Sequence, residues 1–231
     1  KVGESGDGKT EYTLTGTNSL SWGKENAHHF YTFYPTERVY VTDGNTGTYT
    51  VAIPREQNAK VTKSGDEING FIYEAVDMSA AVMAGHAEYK RTAVGENTVI
   101  NLPFKPLTTA FDIVIKAPAP APPATTGIES VVITSITIAN KADETTNRVP
   151  LAGGFTYNAE TGSYELYQNT TTNEDAQSYT VNVQLQSEEP VKLRAGTNDQ
   201  LTVTAFLLPK DLPNDLRFMV NCRESEISGN M

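Results

Sequence analysis

Phe30-Tyr31-Thr32-Phe33-Tyr34-Pro35, Val51-Ala52-Ile53-Pro54-Arg55-Glu56-Gln57 and Val99-Ile100-Asn101-Leu102-Pro103-Phe104-Lys105-Pro106-Leu107 decide how this chain reads. Each is a short aromatic or apolar run closed by proline or polar turn residues. Aromatic and β-branched side chains suit a pleated, half-buried surface. Proline has no N–H to give to a ladder, so it marks where a strand stops. None of the three segments carries a chemical motif.

The same pattern recurs outward from these segments. Short alternating runs of Thr, Val, Tyr and Ile predict strands over 11–16, 19–22, 29–34, 47–53, 71–75, 78–83, 98–104, 111–116, 129–139, 154–158, 163–168, 178–186, 191–194, 200–208 and 216–222. Turn residues separate them, as in Asp43-Gly44-Asn45, Lys63-Ser64-Gly65-Asp66, Gly95-Glu96-Asn97, Glu160-Thr161-Gly162-Ser163 and Gly196-Thr197-Asn198-Asp199. No stretch keeps a helical period, and short helical turns at 105–109 or 209–212 are the most the sequence allows. Strands of this length and spacing predict an all-β fold of two tandem β-sandwich domains, with about seven strands each.

Where the domains divide has two readings. Ala117-Pro118-Ala119-Pro120-Ala121-Pro122-Pro123-Ala124 is a stiff polyproline II segment and reads as the linker at 117–124. The other reading makes it a long tip between the strands at 111–116 and 129–139, and composition favours the linker.

Composition bounds the function. The 231 residues suffice for one large β domain or two of ordinary size, with a core that needs no staples. A net charge of −10 and a pI near 4.8 argue against nucleic acid and against an anionic membrane surface, since both attract basic proteins. The single cysteine, Cys222, cannot form an internal disulfide and is expected to be a buried small hydrophobe. No apolar run reaches the length of about 18 residues that a membrane helix needs. The start at Lys1, without an initiator Met, reads as a mature or trimmed chain.

Motifs that resemble chemistry fail on context. Gly3-Glu4-Ser5-Gly6-Asp7-Gly8-Lys9-Thr10 matches the phosphate-binding loop G-x-x-x-x-G-K-[ST]. Such a loop needs a helix leaving it, so that the helix N-terminus faces the phosphates. The following Glu11-Tyr12-Thr13-Leu14-Thr15 alternates like a strand, so the segment reads as an N-terminal arm. His28, His29 and His86 are the only histidines. Adjacent strand residues point to opposite faces, which separates His28 from His29 and argues against a shared metal. Carboxylates stand in turn-like contexts with no calcium-loop spacing. Neither a G-x-S-x-G elbow nor a Cys/His dyad is present. Asn169-Thr170-Thr171 fits an N-glycosylation acceptor and reads as a plain polar loop. The aromatic residues Trp22, Phe30, Tyr31, Phe33 and Tyr34 suggest core packing, with a sugar-stacking platform as the alternative. No catalytic residue, cofactor or metal site emerges, and the chain is expected not to be an enzyme.

In order, these segments resemble the fimbrillins, the pilus subunits of Bacteroidales-type bacteria. The resemblance rests on Trp22 followed by 29–35 ending in Tyr34-Pro35, then Ile53-Pro54 with Gln57. Val76-Asp77-Met78-Ser79-Ala80-Ala81-Val82, Phe104-Lys105-Pro106 and the paired strands at 111–116 and 130–140 come next. Leu151-Ala152-Gly153-Gly154-Phe155 and Phe206-Leu207-Leu208-Pro209 complete the series. Pro106 replaces a frequent His of the family, and the Pro-rich segment is an insertion. The resemblance implies two tandem Greek-key, transthyretin-like sandwiches, over 1–97 and 98–231. It implies a lipoprotein precursor exported to the cell surface, held to the outer membrane through its lipid alone and trimmed before it joins a fimbria. Polymerisation would proceed by strand exchange with other pilin subunits. A host receptor or glycan is the further partner class. Lys9 is the expected trimming point for a trypsin-like protease, and Glu11, Tyr12, Thr13, Leu14 and Thr15 the expected exchanged strand. The alternative reading is a cell-surface carbohydrate- or protein-binding module.

Overall fold

The computed structural model describes residues 2–5, 9–12, 25–44, 46–90, 100–120, 127–140, 149–166, 177–209 and 215–228. These residues are predominantly β, as expected. The strands are β1 (Val2–Ser5), β2 (Lys9–Tyr12), β3 (Ala27–Tyr34), β4 (Val39–Asp43), β5 (Thr48–Ile53), β6 (Glu56–Asp66), β7 (Gly70–Val76), β8 (Met83–Lys90), β9 (Phe104–Pro106), β10 (Thr109–Lys116), β11 (Gly127–Asn140), β12 (Gly153–Asn158), β13 (Tyr164–Leu166), β14 (Thr180–Gln186), β15 (Val191–Arg194), β16 (Gln200–Leu207) and β17 (Leu216–Ser228). Single 3-10 turns lie at Thr36–Arg38 and Met78–Ala80.

Four sheets result. The largest runs β10-β16-β7-β6-β14-β11-β15, with β17 on the other edge of β11. It is mixed: β6 lies parallel to β14, and β7 parallel to β16. A second sheet runs β13-β12-β5-β4, a third β3-β8-β9, and β1-β2 form a separate hairpin.

Alternation builds the cores. In β5, Tyr49, Val51 and Ile53 are buried, while Thr48, Thr50 and Ala52 are half-buried on the other face. They pack with Phe155 and Tyr157 of β12 against Tyr31 and Phe33 of β3 and Val82 and Ala84 at β8, closing the second sheet onto the third. The large sheet encloses its own core of Ile133, Ile136, Ile138, Val181, Val183, Leu193, Leu201, Val203 and Leu207, among others.

Long-range ladders cross both expected domain boundaries, residue 97 and the 117–124 segment. Strand β5 pairs with β12, β6 with β14, and β7 with β16, so three ladders join chain from both sides of both positions. Backbone pairing is indifferent to distance along the chain, and each core draws strands from both halves. The strands β4, β6 and β8 lie largely outside the expected runs; polar residues fill the outward positions of β6, whereas β4 exposes Tyr40 and Val41. In β6 only Gln57 and Ala59 are fully buried. The expected strand at 78–83 is a 3-10 turn, begun by the Asp77 carboxylate accepting from the Ser79 N–H at 3.0 Å. Phe104–Pro106 is strand where 105–109 was expected to turn helically.

One junction holds the large sheet together. Strand β7 ends at Val76, yet its neighbours β6 and β16 both run past that point. Two side chains fill the vacated lane. The fully buried Gln57 donates its amide to the Phe206 carbonyl at 2.6 Å and to the Pro54 carbonyl at 3.2 Å. Its Oε1 accepts from the Phe206 N–H at 3.0 Å. The Asp77 carboxylate accepts from the Asn58 N–H at 2.8 Å. The Gln57 amide thus stands in for a missing peptide group. Replacing Gln57 with Leu keeps the volume but strands the Phe206 N–H and C=O in the interior. The expected loss of unfolding free energy is about 2–3 kcal/mol, measured by urea titration.

A second buried polar node ties the turn before β16 to the start of β7. Asp199 accepts from the Phe71 N–H at 2.8 Å, the Arg194 N–H at 2.9 Å, and Arg194 Nε and Nη2 at 2.9 and 2.8 Å. Gly70 has φ of +96°, and a Cβ there would lie 2.7 Å from the Asn198 carbonyl carbon, so the close approach requires glycine. The Arg194 guanidinium first, and the Phe71 and Arg194 N–H groups after it, hold the Asp199 carboxyl well below the usual carboxylate range, against the opposing effect of burial. A carboxyl depressed in the folded state stabilises above its unfolded value of about 3.9, and that stability is lost as pH falls below it. Asp199→Asn is therefore expected to cost about 2 kcal/mol near neutrality. The gap to the parent protein should narrow below about pH 4, as read by urea unfolding at both pH values.

Candidate functional site

The feature with the clearest capacity for partners is the pair of strands at which the large sheet ends. Strand β17 is thirteen residues long, and among the described residues its only ladder is with β11, from Gly127↔Ser228 to Asn140↔Leu216, with three register shifts. From Arg217 to Cys222 every residue is exposed. Phe218, Met219 and Val220 keep 43%, 50% and 41% of their surface in water, unlike a half-buried strand that hides alternate residues. At the other end, β10 pairs only with β16 among the described residues. Its inward residues Phe111, Ile113 and Ile115 are only half-buried.

The sheet curls until these two end strands meet. Phe111 and Phe218 stack with ring centroids 5.4 Å apart and 15° between planes. Among the described residues no ladder joins β10 to β17. Two end strands with incompletely covered apolar side chains, each with a single ladder among the described residues, thus lie side by side. Such edges template the addition of another strand.

The expected exchanged segment is only partly described. Lys9, Glu11 and Tyr12 fall in β2, paired with β1 in the register Val2↔Tyr12, Gly3↔Glu11, Glu4↔Thr10 and Ser5↔Lys9. No ladder connects this hairpin to the other sheets among the described residues. Thr13, Leu14 and Thr15 lie outside the described residues, as do Trp22 and Asn169. The strand at Lys9–Tyr12 occupies the place where a phosphate-binding loop would start its helix. Cys222 is exposed, contrary to the expectation of burial, because the edge strand that carries it leaves both faces open.

The aromatic run divides between two faces. Tyr31 and Phe33 pack on Tyr49, with centroids 5.8 and 4.3 Å apart, while Phe30 meets Tyr89 edge-on. Beside this smaller core, the rings of His29 of β3 and His86 of β8 meet edge to edge within 4° of parallel, and the Tyr31 and His86 centroids are 5.0 Å apart with 13° between planes. The Tyr31 hydroxyl donates to Oε1 of Glu160, in the turn between β12 and β13. Burial, and after it the Glu160 carboxylate, push the Tyr31 hydroxyl above the ordinary phenol range, and burial alone raises Tyr49 and Tyr157. The sequence separated His28 from His29 correctly but gave no sign that His86 would arrive beside His29. That pairing comes from the β3–β8 register. Among the described residues, no group of three or more His, Cys, Asp or Glu side chains is arranged to hold a metal ion.

A shallow cleft of about 260 Å³ lies between Lys63, Phe71, Tyr73, Pro190 and Arg194. Its charges are already matched. Lys63 pairs with Glu189 at 3.2 Å and Arg194 with Asp199, and both cations cover the Phe71 ring, at 4.1 and 4.6 Å. The ring therefore offers little open face for a ligand to stack upon.

No protein-family model, curated protein or solved structure matches this chain. No helix among the described residues is long and apolar enough to cross a membrane.

The exposure of β17 has a direct chemical readout. Cys222 is expected to react with a thiol reagent such as dithionitrobenzoate in the folded protein at a rate close to that of a free thiol. Protection until denaturant is added would contradict the exposed placement of β17.

Proposed function

We infer that this chain is a structural, adhesive subunit of a bacterial surface fibre of the fimbrillin kind, joined to its neighbours by strand exchange and carrying no catalytic activity. The single observation behind this reading is β17, which is long, exposed over 217–222, bonded along one edge among the described residues, and stacked on β10 through Phe218 and Phe111. A strand edge that carries exposed apolar side chains such as Phe218, Met219 and Val220 invites edge-to-edge association. Repeating one head-to-tail strand contact generates a filament.

On this reading the two cores correspond to the two Greek-key sandwiches of a fimbrillin, with strands interleaved between halves of the chain. The precursor is a lipoprotein delivered to the outer membrane, and trimming at Lys9 frees the segment that begins with Glu11 and Tyr12. The partners are other pilin subunits, with a host receptor or glycan at the fibre surface. The acidic surface keeps unassembled subunits apart.

The test is assembly of the full-length precursor after limited trypsin treatment, followed by size exclusion and electron microscopy. Filaments or detergent-resistant ladders are expected, and a chain truncated before Leu216 should remain monomeric in the same conditions. A parent protein that is cut yet never polymerises overturns the self-assembling reading. Filaments formed equally well with Thr10 and all that follows left intact, and without cleavage at Lys9, overturn the trimming step.

A further inference from the structure

Two histidines that lie 57 residues apart in sequence meet head to head. His29 Nδ1 and His86 Nε2 are 3.1 Å apart, the ring planes differ by 4°, and the centroids are 5.4 Å apart. The nitrogens therefore lie close to the line joining the ring centres, which is the geometry of an in-line hydrogen bond with one nitrogen donating and the other accepting. A shared metal would need both lone pairs turned toward a common point off that line. Glu160 Oε1 stands 3.7 Å from His29 Nδ1 and already accepts from the Tyr31 hydroxyl. His29, His86 and Tyr31 belong to the three-stranded sheet, and Glu160 follows β12 of the four-stranded sheet. The cluster thus bridges the two layers at the open end of the smaller core.

We propose that His29, His86, Tyr31 and Glu160 form an acid-sensitive clasp, which holds the three-stranded sheet on the four-stranded sheet and opens when both imidazoles carry a second proton. With at most one extra proton shared by the pair, one nitrogen remains an acceptor, and the cation sits beside the Glu160 carboxylate. With two, both nitrogens carry hydrogen, neither accepts, and like charges face each other at the bonded separation. The other titratable groups on this face cannot repair that loss. Glu88 is opposite His29 in the β3–β8 register and is exposed. Tyr49 from β5 and Tyr157 from β12 supply no charge below the phenol range. Glu160 carries one negative charge and already accepts from Tyr31, so it can offset at most one of two imidazolium charges. The clasp operates within one chain, whatever the chain assembles into.

Histidine side chains change charge between about pH 5 and 8, well above the range in which the Asp199 node responds. The experiment is the thermal midpoint of the full chain at about pH 7.5 and about pH 5, with His86→Phe and His28→Gln beside the parent. The parent is expected to lose about 2–4 °C on acidification. His86→Phe keeps a ring over Tyr31 without a titrating nitrogen and should abolish the loss. His28→Gln changes the opposite face of β3 and should retain it. A parent midpoint unchanged across the range, or an equal loss in His86→Phe, overturns the clasp. Should His86→Phe fail to fold, the ring signals of the parent decide by nuclear magnetic resonance. Tyr31 is expected to shift together with both imidazoles as the pH falls. A Tyr31 signal that stays in place while both titrate overturns the proposal.

Discussion

The large sheet depends on a side-chain amide acting as backbone. Where β7 turns away after Val76, the Phe206 peptide faces an empty lane, and a buried N–H and C=O without partners would cost more than an ordinary hydrogen bond gains. Gln57 answers both groups at once and also reaches the Pro54 carbonyl. Only an uncharged side chain with a donor and an acceptor at one end can do this. The junction fixes where β6 and β16 stand relative to each other. The positions of Leu201, Val203 and Leu207 in the core follow from that registration.

From this junction the two cores are built by strands that travel. Because β5 continues to β12, and β6 and β7 to β14 and β16, neither core closes until distant parts of the chain have met. Such long-range ladders carry a loop-closure cost that local contacts do not. The buried Asp199–Arg194 node and the Tyr31–Glu160 contact are polar fasteners at places where sheet layers or turns would otherwise be held by apolar packing alone. Being directional, they fix one arrangement among several of similar hydrophobic burial.

The same architecture leaves its end strands unfinished. A sheet closed fully into a barrel has no edges to defend. This one stops at a ring stack between Phe111 and Phe218 instead of a ladder. The seam brings together apolar side chains that are still partly open to water. The cleft around Phe71 differs, for its cations and carboxylates satisfy one another within the chain. The proposal of an assembling protein rests on that contrast between an unfinished edge and a finished cleft.

Much of the strand content was legible in the sequence. In β5, β10, β12, β15 and β16 the period-two alternation of Val, Ile, Tyr and Thr tracks burial, because a strand with one face inward must alternate. Polar strands such as β6 were illegible, since Glu56, Asn58 and Lys60 face outward and leave Gln57 as an apparently ordinary polar residue. Nor did spacing along the chain show that Cys222 would be exposed, for its apolar neighbours suggest burial and only the edge position of β17 denies it. The sequence by itself determined the all-β class, the acidity and the local run of each alternating strand, because these follow from side-chain type and period. Tertiary structure alone decided which strands pair, that Gln57 fills a vacated lane, that His29 meets His86, and that β10 and β17 each have a single ladder among the described residues. Those outcomes depend on register between segments far apart in the chain, and no local pattern encodes that register.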